Sequence, residues 1–429
     1  MTFSAIASIA VFLAAYVFII IDKLPRIMIV LIGAALMLLV GATDGEAMFF
    51  SEETGIDWNV IFLLLGMMII VGIMRHTGVF EFLAIWAAKR AKGRPFAVMA
   101  MFIVITAILS ALLDNVTTVL LIAPVILLVC ERLGVSPIPY LISAIMASNI
   151  GGTATLIGDP PNIIIASRAG LSFNDFLVNL APIVVVLLVV FVGLCFLLFR
   201  KDFHYDPERA ARVMALDERE AITNKPLLIK SLIVVGLVLV GFVTHTITHV
   251  EASVIALLGA GLLTLLARLE PGHYFREVEW ETLVFFSGLF IMVGALVHTG
   301  VIGQVAELAI GAMGDNYGAA AQFLLVGSAV LSGIVDNIPY VATMAPLVGD
   351  LVQAGGDAAH PLWWALALGA DLGGNATAIG ASANVVVLGI AKKNGYPISF
   401  WGYTKYGLIV TLVTILVCIP YVWLRYFAF

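Results

Sequence analysis

The chain contains two halves that repeat one another at a constant offset of 222 residues. Residues 109–124, LSALLDNVTTVLLIAP, return as residues 331–346, LSGIVDNIPYVATMAP, with 7 of 16 positions identical. Residues 150–162, IGGTATLIGDPPN, return as residues 372–384, LGGNATAIGASAN, with 7 of 13 positions identical. Because the spacing holds without a gap, both halves are expected to share one structural plan.

Composition places this repeated chain in a membrane. Of the 429 residues, 62% are hydrophobic and 12% are charged, and the mean hydropathy is +1.09. Soluble globular domains carry about 25% charged residues. A helix needs about 20 apolar residues to cross a bilayer, and apolar runs of about this length recur along the whole chain. Because backbone groups in lipid must form hydrogen bonds within the protein, these runs predict helices. The net charge of −6 gives no indication of a nucleic-acid partner.

Both halves predict the same series of membrane segments, and the fold class is therefore an all-α polytopic membrane protein. The first segment has no basic n-region and no small-residue cleavage site, so we expect it to be retained as a span. The first half has segments at 3–22, 27–43, 58–74, 97–113 with 116–131, 138–167 and 177–199. The second half has segments at 228–246, 252–268, 280–297, 319–335 with 338–354, 362–389 and 405–427.

The distribution of charge indicates that the second half is inverted. Loop 75–94 holds five basic residues and one acid, whereas its repeat mate, 297–318, holds no Lys or Arg. Positively charged loops stay in the cytoplasm, so the first loop is predicted to be cytoplasmic. Its mate, which includes Asp315, is predicted to be external. Loop 44–57 has five acids and no basic residue, which also predicts an external position.

An inverted second half requires each half to cross the membrane an odd number of times. Segments 97–131 and 319–354 are therefore predicted to be re-entrant hairpins, which leaves five transmembrane helices per repeat. The predicted layout is a first repeat over 1–199, a cytoplasmic linker over 200–227 and a second repeat over 228–429. In a membrane chain, inverted repeats are typical of secondary transporters whose site lies where the repeats meet.

Each hairpin is followed by a segment that contains strong helix breakers. Unwound backbone at membrane depth is tolerated only where it lines a cavity or is buried in protein, and a broken helix exposes free N–H and carbonyl groups. The Gly-Gly pairs at 151–152 and 373–374 therefore predict one broken helix per repeat. The predicted substrate site combines polar and small residues at the hairpin tips and the breaks: Asn115, Gly152, Thr153, Thr155, Asn337, Gly374, Asn375 and Thr377.

Four acidic residues in the same apolar segments are the candidates for proton coupling. An acid inside a span costs about 2.5–3.5 kcal/mol on insertion scales, and such residues usually mark ion or proton paths. Small residues also mediate helix packing, so packing is the alternative explanation for the glycines. An Asp-Asn pair at the same register in both hairpins favours a site. The candidate proton carriers are Asp114, Asp159, Asp336 and Asp371.

The Asp-Asn hairpins and the GGTATLIGDPPN break with its GGNATAIGASAN mate resemble those of the ion transporter superfamily. Within it, the chain is similar to the arsenite and antimonite efflux permeases and to the melanosomal P-protein branch. The resemblance implies that a transport part, 97–167 and 319–389, moves against a scaffold part, 1–74 and 228–297. It carries a role in the substrate site over to Asp114, Asn115, Gly152, Thr153, Thr155, Asp336, Asn337, Gly374, Asn375 and Thr377.

The leading hypothesis is export of arsenite or antimonite by proton antiport across the inner (plasma) membrane. Arsenite at neutral pH is an uncharged trihydroxide, which Asn and Thr side chains and free backbone groups can bind. The predicted site has no Arg or Lys to hold an anion. Two alternatives remain open, a sodium/proton antiporter and a sodium-coupled organic anion symporter. The tip aspartates argue against a dicarboxylate, because they would repel it.

The sequence does not indicate an enzyme. It contains no nucleophile–base pair, phosphate loop or metal motif, so no cofactor is expected. Its three cysteines stand at unrelated spacings in apolar surroundings and form no metal motif. The expected partners are the substrate, protons and membrane lipid, and the resemblance adds a cytosolic arsenite-stimulated ATPase as an optional partner.

Overall fold

The computed structural model describes residues 2–21, 23–314 and 316–428, and within these residues it contains helices and no strand. The predicted all-α fold class is confirmed. Among the same residues, nine helices are long and apolar enough to cross a membrane. The predicted external residue Asp315 lies outside the described residues.

Eleven α-helices form the first half, and one short α-helix lies in the linker that follows it. The first half has α1 (Phe3–Ile21), α2 (Arg26–Leu39), α3 (Gly45–Phe50), α4 (Trp58–Arg75), α5 (Val79–Arg90), α6 (Pro95–Leu112), α7 (Asn115–Leu133), α8 (Ile138–Gly152), α9 (Pro160–Ala169), α10 (Phe173–Asn179) and α11 (Ala181–Phe199). The linker has α12 (Pro207–Met214).

The second half repeats this order without a counterpart of α10. It has α13 (Lys225–Thr248), α14 (Ala252–Ala267), α15 (Pro271–Phe275), α16 (Trp280–His298), α17 (Val301–Met313), α18 (Tyr317–Val335), α19 (Asn337–Gly355), α20 (Leu362–Gly373), α21 (Ser382–Lys393) and α22 (Phe400–Tyr426). The members of five helix pairs begin 222 residues apart: α4 and α16, α5 and α17, α6 and α18, α7 and α19, α9 and α21.

The hairpin and the broken helix that the sequence predicts occur in both halves. Helices α6 and α7 form the first hairpin and α18 and α19 the second, each with a turn of one or two residues. Helices α8 and α9 are the two pieces of one broken helix, and α20 and α21 those of the other. Helix α2 ends at Leu39, whereas its predicted segment extends to residue 43.

The two halves interlock through their hairpins. Helix α7 of the first hairpin packs against α21 of the second half, and α19 of the second hairpin packs against α9 of the first half. Helices α1, α2, α4, α13, α14 and α16 contact one another beside this centre. The hairpin tips are therefore brought next to the helix breaks of the opposite half.

The segment between the halves is attached to the base of the first hairpin and to α5. Lys89 Nζ donates to the carbonyl oxygen of Leu216 over 2.8 Å. It also forms an ion pair with Glu218, and the hydrogen bond within this pair lowers the pKa of the Glu218 carboxyl. Arg209 Nη1 donates to the carbonyl oxygen of Gly134 over 3.0 Å. Helix α13 begins at Lys225, so the last residues of the predicted linker already belong to the second half.

Candidate functional site

Each hairpin tip carries an aspartate that caps the helix after it. Asp114 Oδ1 accepts from the backbone N–H of Thr117 over 2.8 Å, and Asp336 Oδ1 accepts from that of Ile338 over 3.1 Å. Side-chain oxygens at this position satisfy the first free N–H groups of a helix. Asp336 has φ 103°, a conformation that costs a non-glycine residue about 1–3 kcal/mol and that clusters at functional sites.

An asparagine holds the unwound backbone at each helix break. Asn162 Nδ2 lies 3.1 Å from the carbonyl oxygen of Thr155, and Asn384 Nδ2 lies 2.9 Å from that of Thr377. Both side chains are fully buried. They replace helical hydrogen bonds that the break removes, which is how unwound backbone becomes tolerable at membrane depth.

Hydroxyl groups fasten each break to the hairpin of its own half. Thr155 Oγ1 donates to the carbonyl oxygen of Ala111 over 2.5 Å, and Thr377 Oγ1 donates to that of Gly333 over 2.6 Å. Thr153 Oγ1 donates to the carbonyl oxygen of Asn149 over 2.9 Å. The hydroxyl hydrogens of these three predicted substrate ligands are thus used by backbone carbonyls.

One aspartate joins the two hairpin tips. Asn115 Nδ2 donates to Asp159 Oδ2 over 3.0 Å, and Asn337 Nδ2 lies 3.2 Å from Asp159 Oδ1. Asp159 is completely buried and both asparagines are almost completely buried. Both asparagines bind the same carboxyl group, so Asp159 is the residue through which the tips are held together.

The helix breaks of the two halves are also joined, by hydrogen bonds among three asparagines. Asn149 Nδ2 donates to Asn375 Oδ1 over 3.0 Å and to Asn384 Oδ1 over 3.2 Å, and Asn149 Oδ1 accepts from Asn115 over 3.1 Å. All four side chains are buried. The hairpin tips and the breaks of both halves thus form one continuous polar network, the central Asn–Asp cluster.

Several buried polar atoms around this cluster have no hydrogen-bond partner in the part of the chain that the structure describes. Both carboxyl oxygens of Asp371 belong to this set, as do Asn115 Oδ1, Asn162 Oδ1 and Asn375 Nδ2. The side chains of Thr153 and Asn162 lie next to Asp371. Leaving a buried polar group unpaired costs about 1–3 kcal/mol, and more for a charged one. Oxygen acceptors dominate the set, so the cluster is suited to a proton, a cation or a hydroxylated ligand.

Arg26, the first residue of α2, reaches the site and was missed by the sequence analysis. Its Nη1 donates to Asp336 Oδ2 over 2.6 Å and lies 3.4 Å from Ser382 Oγ. The expectation that the site has no Arg or Lys is therefore wrong. A signal did exist, since Arg26 opens an apolar segment and its repeat mate is the uncharged Thr248. Pairing across 310 residues can be seen only in the folded chain.

Two clefts are lined by repeat-related residues. One, of about 450 Å³, is lined by residues that include Lys23, Arg26, Glu281 and Ser382. The other, of about 380 Å³, is lined by residues that include Asn59, the repeat mate of Glu281. The buried asparagines of the cluster line neither cleft.

The predicted site residues occupy different positions in the structure. Asn115, Asn337, Asn375 and Asp159 lie in one hydrogen-bonded network, as described above, and Asp371 adjoins it. Gly152 and Gly374 lie in close contact with the backbone of their own breaks: a Cβ at these positions would stand 2.5 Å from the Gly158 oxygen and 3.1 Å from the Asp371 oxygen. Asp114 and Asp336 cap the hairpin helices. The roles in binding and proton coupling remain predictions.

Comparison with known proteins gives a family and close relatives. The family model described as a citrate transporter matches residues 16–369. An uncharacterized transporter of Mycobacterium tuberculosis is 53% identical over 427 residues, which cover 99% of this chain and 100% of the relative. The P protein of Mus musculus is 34% identical over 488 residues, which cover 95% of this chain and 59% of that protein.

A solved structure has the same fold. The YdaH transporter of Alcanivorax borkumensis superposes with a TM-score of 0.59 over 99% of this chain and 98% of its own chain, with 15% sequence identity. At that identity the likeness concerns the fold alone.

Proposed function

We propose a cargo and a coupling ion for this chain, which belongs to the citrate transporter family. It is a multi-pass membrane transporter, and its predicted resemblance to the ion transporter superfamily is confirmed by the family match and by the P protein relative. The proposed activity is export of arsenite or antimonite from the cytoplasm in exchange for protons, across the inner (plasma) membrane.

The chemistry of the central Asn–Asp cluster supports a small, uncharged, hydroxylated cargo. Asparagine amides can donate and accept, and five of them, Asn115, Asn149, Asn337, Asn375 and Asn384, are buried in or beside the cluster. Each hydroxyl of arsenite also donates and accepts, so it could replace the contacts that the amides now make with one another. A hydroxylated cargo therefore loses few hydrogen bonds when it leaves water.

The observation that carries the coupling proposal is the environment of Asp371. Its side chain is fully buried, and neither carboxyl oxygen has a hydrogen-bond donor among the described residues. An isolated buried carboxylate is very costly in an apolar interior, and neutralisation removes the cost. A proton supplies that neutrality without any other group. Asp159, Asp114 and Asp336 offer further carboxyls within the same transport part.

The test is transport into everted membrane vesicles with an imposed pH gradient. We expect arsenite to accumulate when the interior is acidic, and arsenite addition to dissipate the gradient. Membranes without the protein are the control. Sodium and citrate are run in parallel. Proton movement driven by sodium, with no effect of arsenite, would replace this proposal with sodium/proton exchange.

A second candidate cargo is an organic anion, and two observations favour it. The matching family model is described as a citrate transporter, and Arg26 supplies a cationic group beside the hairpin tip. Asp336 already neutralises this group, which is why we place it second. Uptake of citrate into right-side-out vesicles, dependent on a sodium or proton gradient, would establish an organic anion as the cargo and exclude arsenite.

An energy source outside the chain is compatible with this proposal. The arsenite permeases that the sequence resembles can work with a cytosolic ATPase, which we propose as an optional partner. Vesicles free of cytosolic protein should transport with the pH gradient alone. If transport required added cytosol and ATP, the proton would be excluded as sole driving force.

A further inference from the structure

We propose that Arg26 and Asp336 form a latch that fixes the second hairpin to the first helices of the chain, and that this latch must open in each transport cycle. Arg26 opens α2, which belongs to the proposed scaffold. Asp336 is the tip of the α18–α19 hairpin, which belongs to the proposed transport part. The ion pair thus spans the boundary along which the two parts would move.

The contact is buried and directional. Arg26 Nη1 lies 2.6 Å from Asp336 Oδ2, with the aspartate side chain fully buried and 21% of the arginine side chain exposed. Ser382 Oγ donates to the same carboxyl oxygen over 3.1 Å. Removing one partner of a buried ion pair leaves an uncompensated charge, whereas removing both does not. The pair therefore favours the arrangement in which both partners stay together.

A second contact ties the same hairpin to the same part of the chain. The hydroxyl of Tyr16 on α1 is hydrogen-bonded to the carbonyl oxygen of Pro339 and to Thr343 Oγ1. Both partners lie in the first two turns of α19. The latch thus acts on a hairpin end that is held from two neighbouring helices.

Among the residues that the structure describes, the first hairpin has no equivalent latch. The repeat mate of Arg26 is Thr248, and that of Tyr16 is Val238. Asp114, the mate of Asp336, interacts instead with the acidic Glu279, which precedes α16. One tip aspartate therefore lies beside a guanidinium group and the other beside a second acidic side chain. A latch present in one repeat only stabilises one of the two repeat-related conformations over the other.

The latch contact does not depend on the proposed proton coupling. The polar and titratable groups around Asp336 are Arg26 from α2, Tyr16 from α1, Ser382 from α21 and Asp159 from the first helix break. Lys23 and Glu281 line the cleft that leads to it.

The latch can be tested without any cargo, by labelling cysteines in the two clefts. Glu281→Cys and Asn59→Cys are exposed, repeat-related reporters in opposite clefts. The native cysteines Cys130, Cys195 and Cys418 are buried. In purified protein in liposomes, Arg26→Gln should change the maleimide labelling rates of the reporters several-fold and in opposite directions. Asp336→Asn should give the same change.

Three further variants identify the ion pair as the cause. Arg26→Lys should restore the labelling ratio in part, because it keeps the charge but not the guanidinium geometry. The change in labelling ratio in the double variant Arg26→Gln/Asp336→Asn should be much smaller than the sum of the changes in the two single variants. Lys23→Gln, which removes an exposed charge from the same cleft, is the matched control and should leave both rates unchanged.

Additive effects of the two substitutions, or unchanged labelling in a folded Arg26→Gln protein, would overturn the latch. A result with intact latch behaviour but no arsenite transport would refute the proposed cargo alone.

Discussion

At the scale of single residues, a few buried side chains connect the two halves. Asp159 accepts hydrogen bonds from Asn115 and Asn337, so one carboxylate holds both hairpin tips. Its repeat mate is Ala381, and that of Asp371 is Asn149. The two acids of the central cluster are thus placed where the repeat symmetry is broken. Function at this scale depends on differences between the halves.

Replacing the tip asparagines should remove transport and keep the fold. Asn115→Ala and Asn337→Ala each remove a hydrogen-bond donor from the buried carboxyl group of Asp159, at a cost of about 1–3 kcal/mol. If the bonds are made in the rate-limiting state, the transport rate should fall roughly fivefold or more. Initial uptake rate and the amount of protein in the membrane should be measured together. Asn394→Ala, at an exposed helix end, is the control. Normal transport by both variants would mean that the tips only pack.

Asp371→Asn should separate coupling from binding. Asn149 occupies the repeat-related position, so an amide has the right size there, but it cannot carry the proton. We expect gradient-driven accumulation to fall to background while counterflow of labelled arsenite persists. Asp357→Asn, in an exposed turn, is the matched control. Retained accumulation would move the proton to Asp159 or to the tip aspartates.

At the scale of elements, the hairpin and the broken helix of each half form one packed unit. Helix α6 lies against α8, and α18 against α20, at distances that only glycine allows. A Cβ at Gly151 would stand 2.3 Å from the carbonyl oxygen of Ala107, and one at Gly373 would stand 2.6 Å from that of Ala329. Small residues let helix backbones approach closely in membranes. The packing explanation and the site explanation of the Gly-Gly pairs therefore apply to different glycines of the same motif.

Gly151→Ala should destabilise the protein through this contact. Forcing a methyl group into a packed interface typically costs about 1–3 kcal/mol, so the midpoint of thermal unfolding in detergent should fall and less protein should reach the membrane. Gly193→Ala on α11 meets no atom within 4 Å and should be neutral or slightly stabilising. Equal stability of the two variants would show that α6 and α8 can move apart at little cost.

At the scale of the whole molecule, two similar halves together form one buried polar centre. The hairpin of each half packs on the broken helix of the other, so neither half can form the centre alone. The clefts are related by the repeat, but Lys23 and Arg26 line one of them, while His245 and Thr246 line the other. The two openings therefore present different charges to whatever enters.

The predicted inversion of the second half gives a topology that can be measured. Cysteines placed near Lys92 and Lys392 should be protected in intact cells from a membrane-impermeant maleimide. Those at Glu52 and at Asn316, next to Asp315, should react. The reason is the excess of Lys and Arg in the first loop and its absence in its repeat mate. Labelling of residues 92 and 316 from the same side would contradict the inversion.

Much of the fold could be predicted because its determinants are local. Hydrophobic runs, Gly-Gly breaks and a repeat at fixed offset depend on residues near each other in sequence, and the helix bounds follow them closely. The meeting of the hairpin tips and the helix breaks was also predictable, since both features recur in both halves. Buried polar residues in an apolar segment cost free energy, so their presence alone marks a site.

The sequence by itself determined the membrane fold, the two-part plan and the residues that approach the centre. Only the tertiary structure decided how those residues pair. Asp159 joins both tips, Asp371 has no hydrogen-bond donor among the described residues, and Arg26 binds Asp336 across the chain. The physical reason is that hydrogen bonds and ion pairs act over about 3 Å between side chains. That proximity arises from helix packing and cannot be read from spacing along the chain.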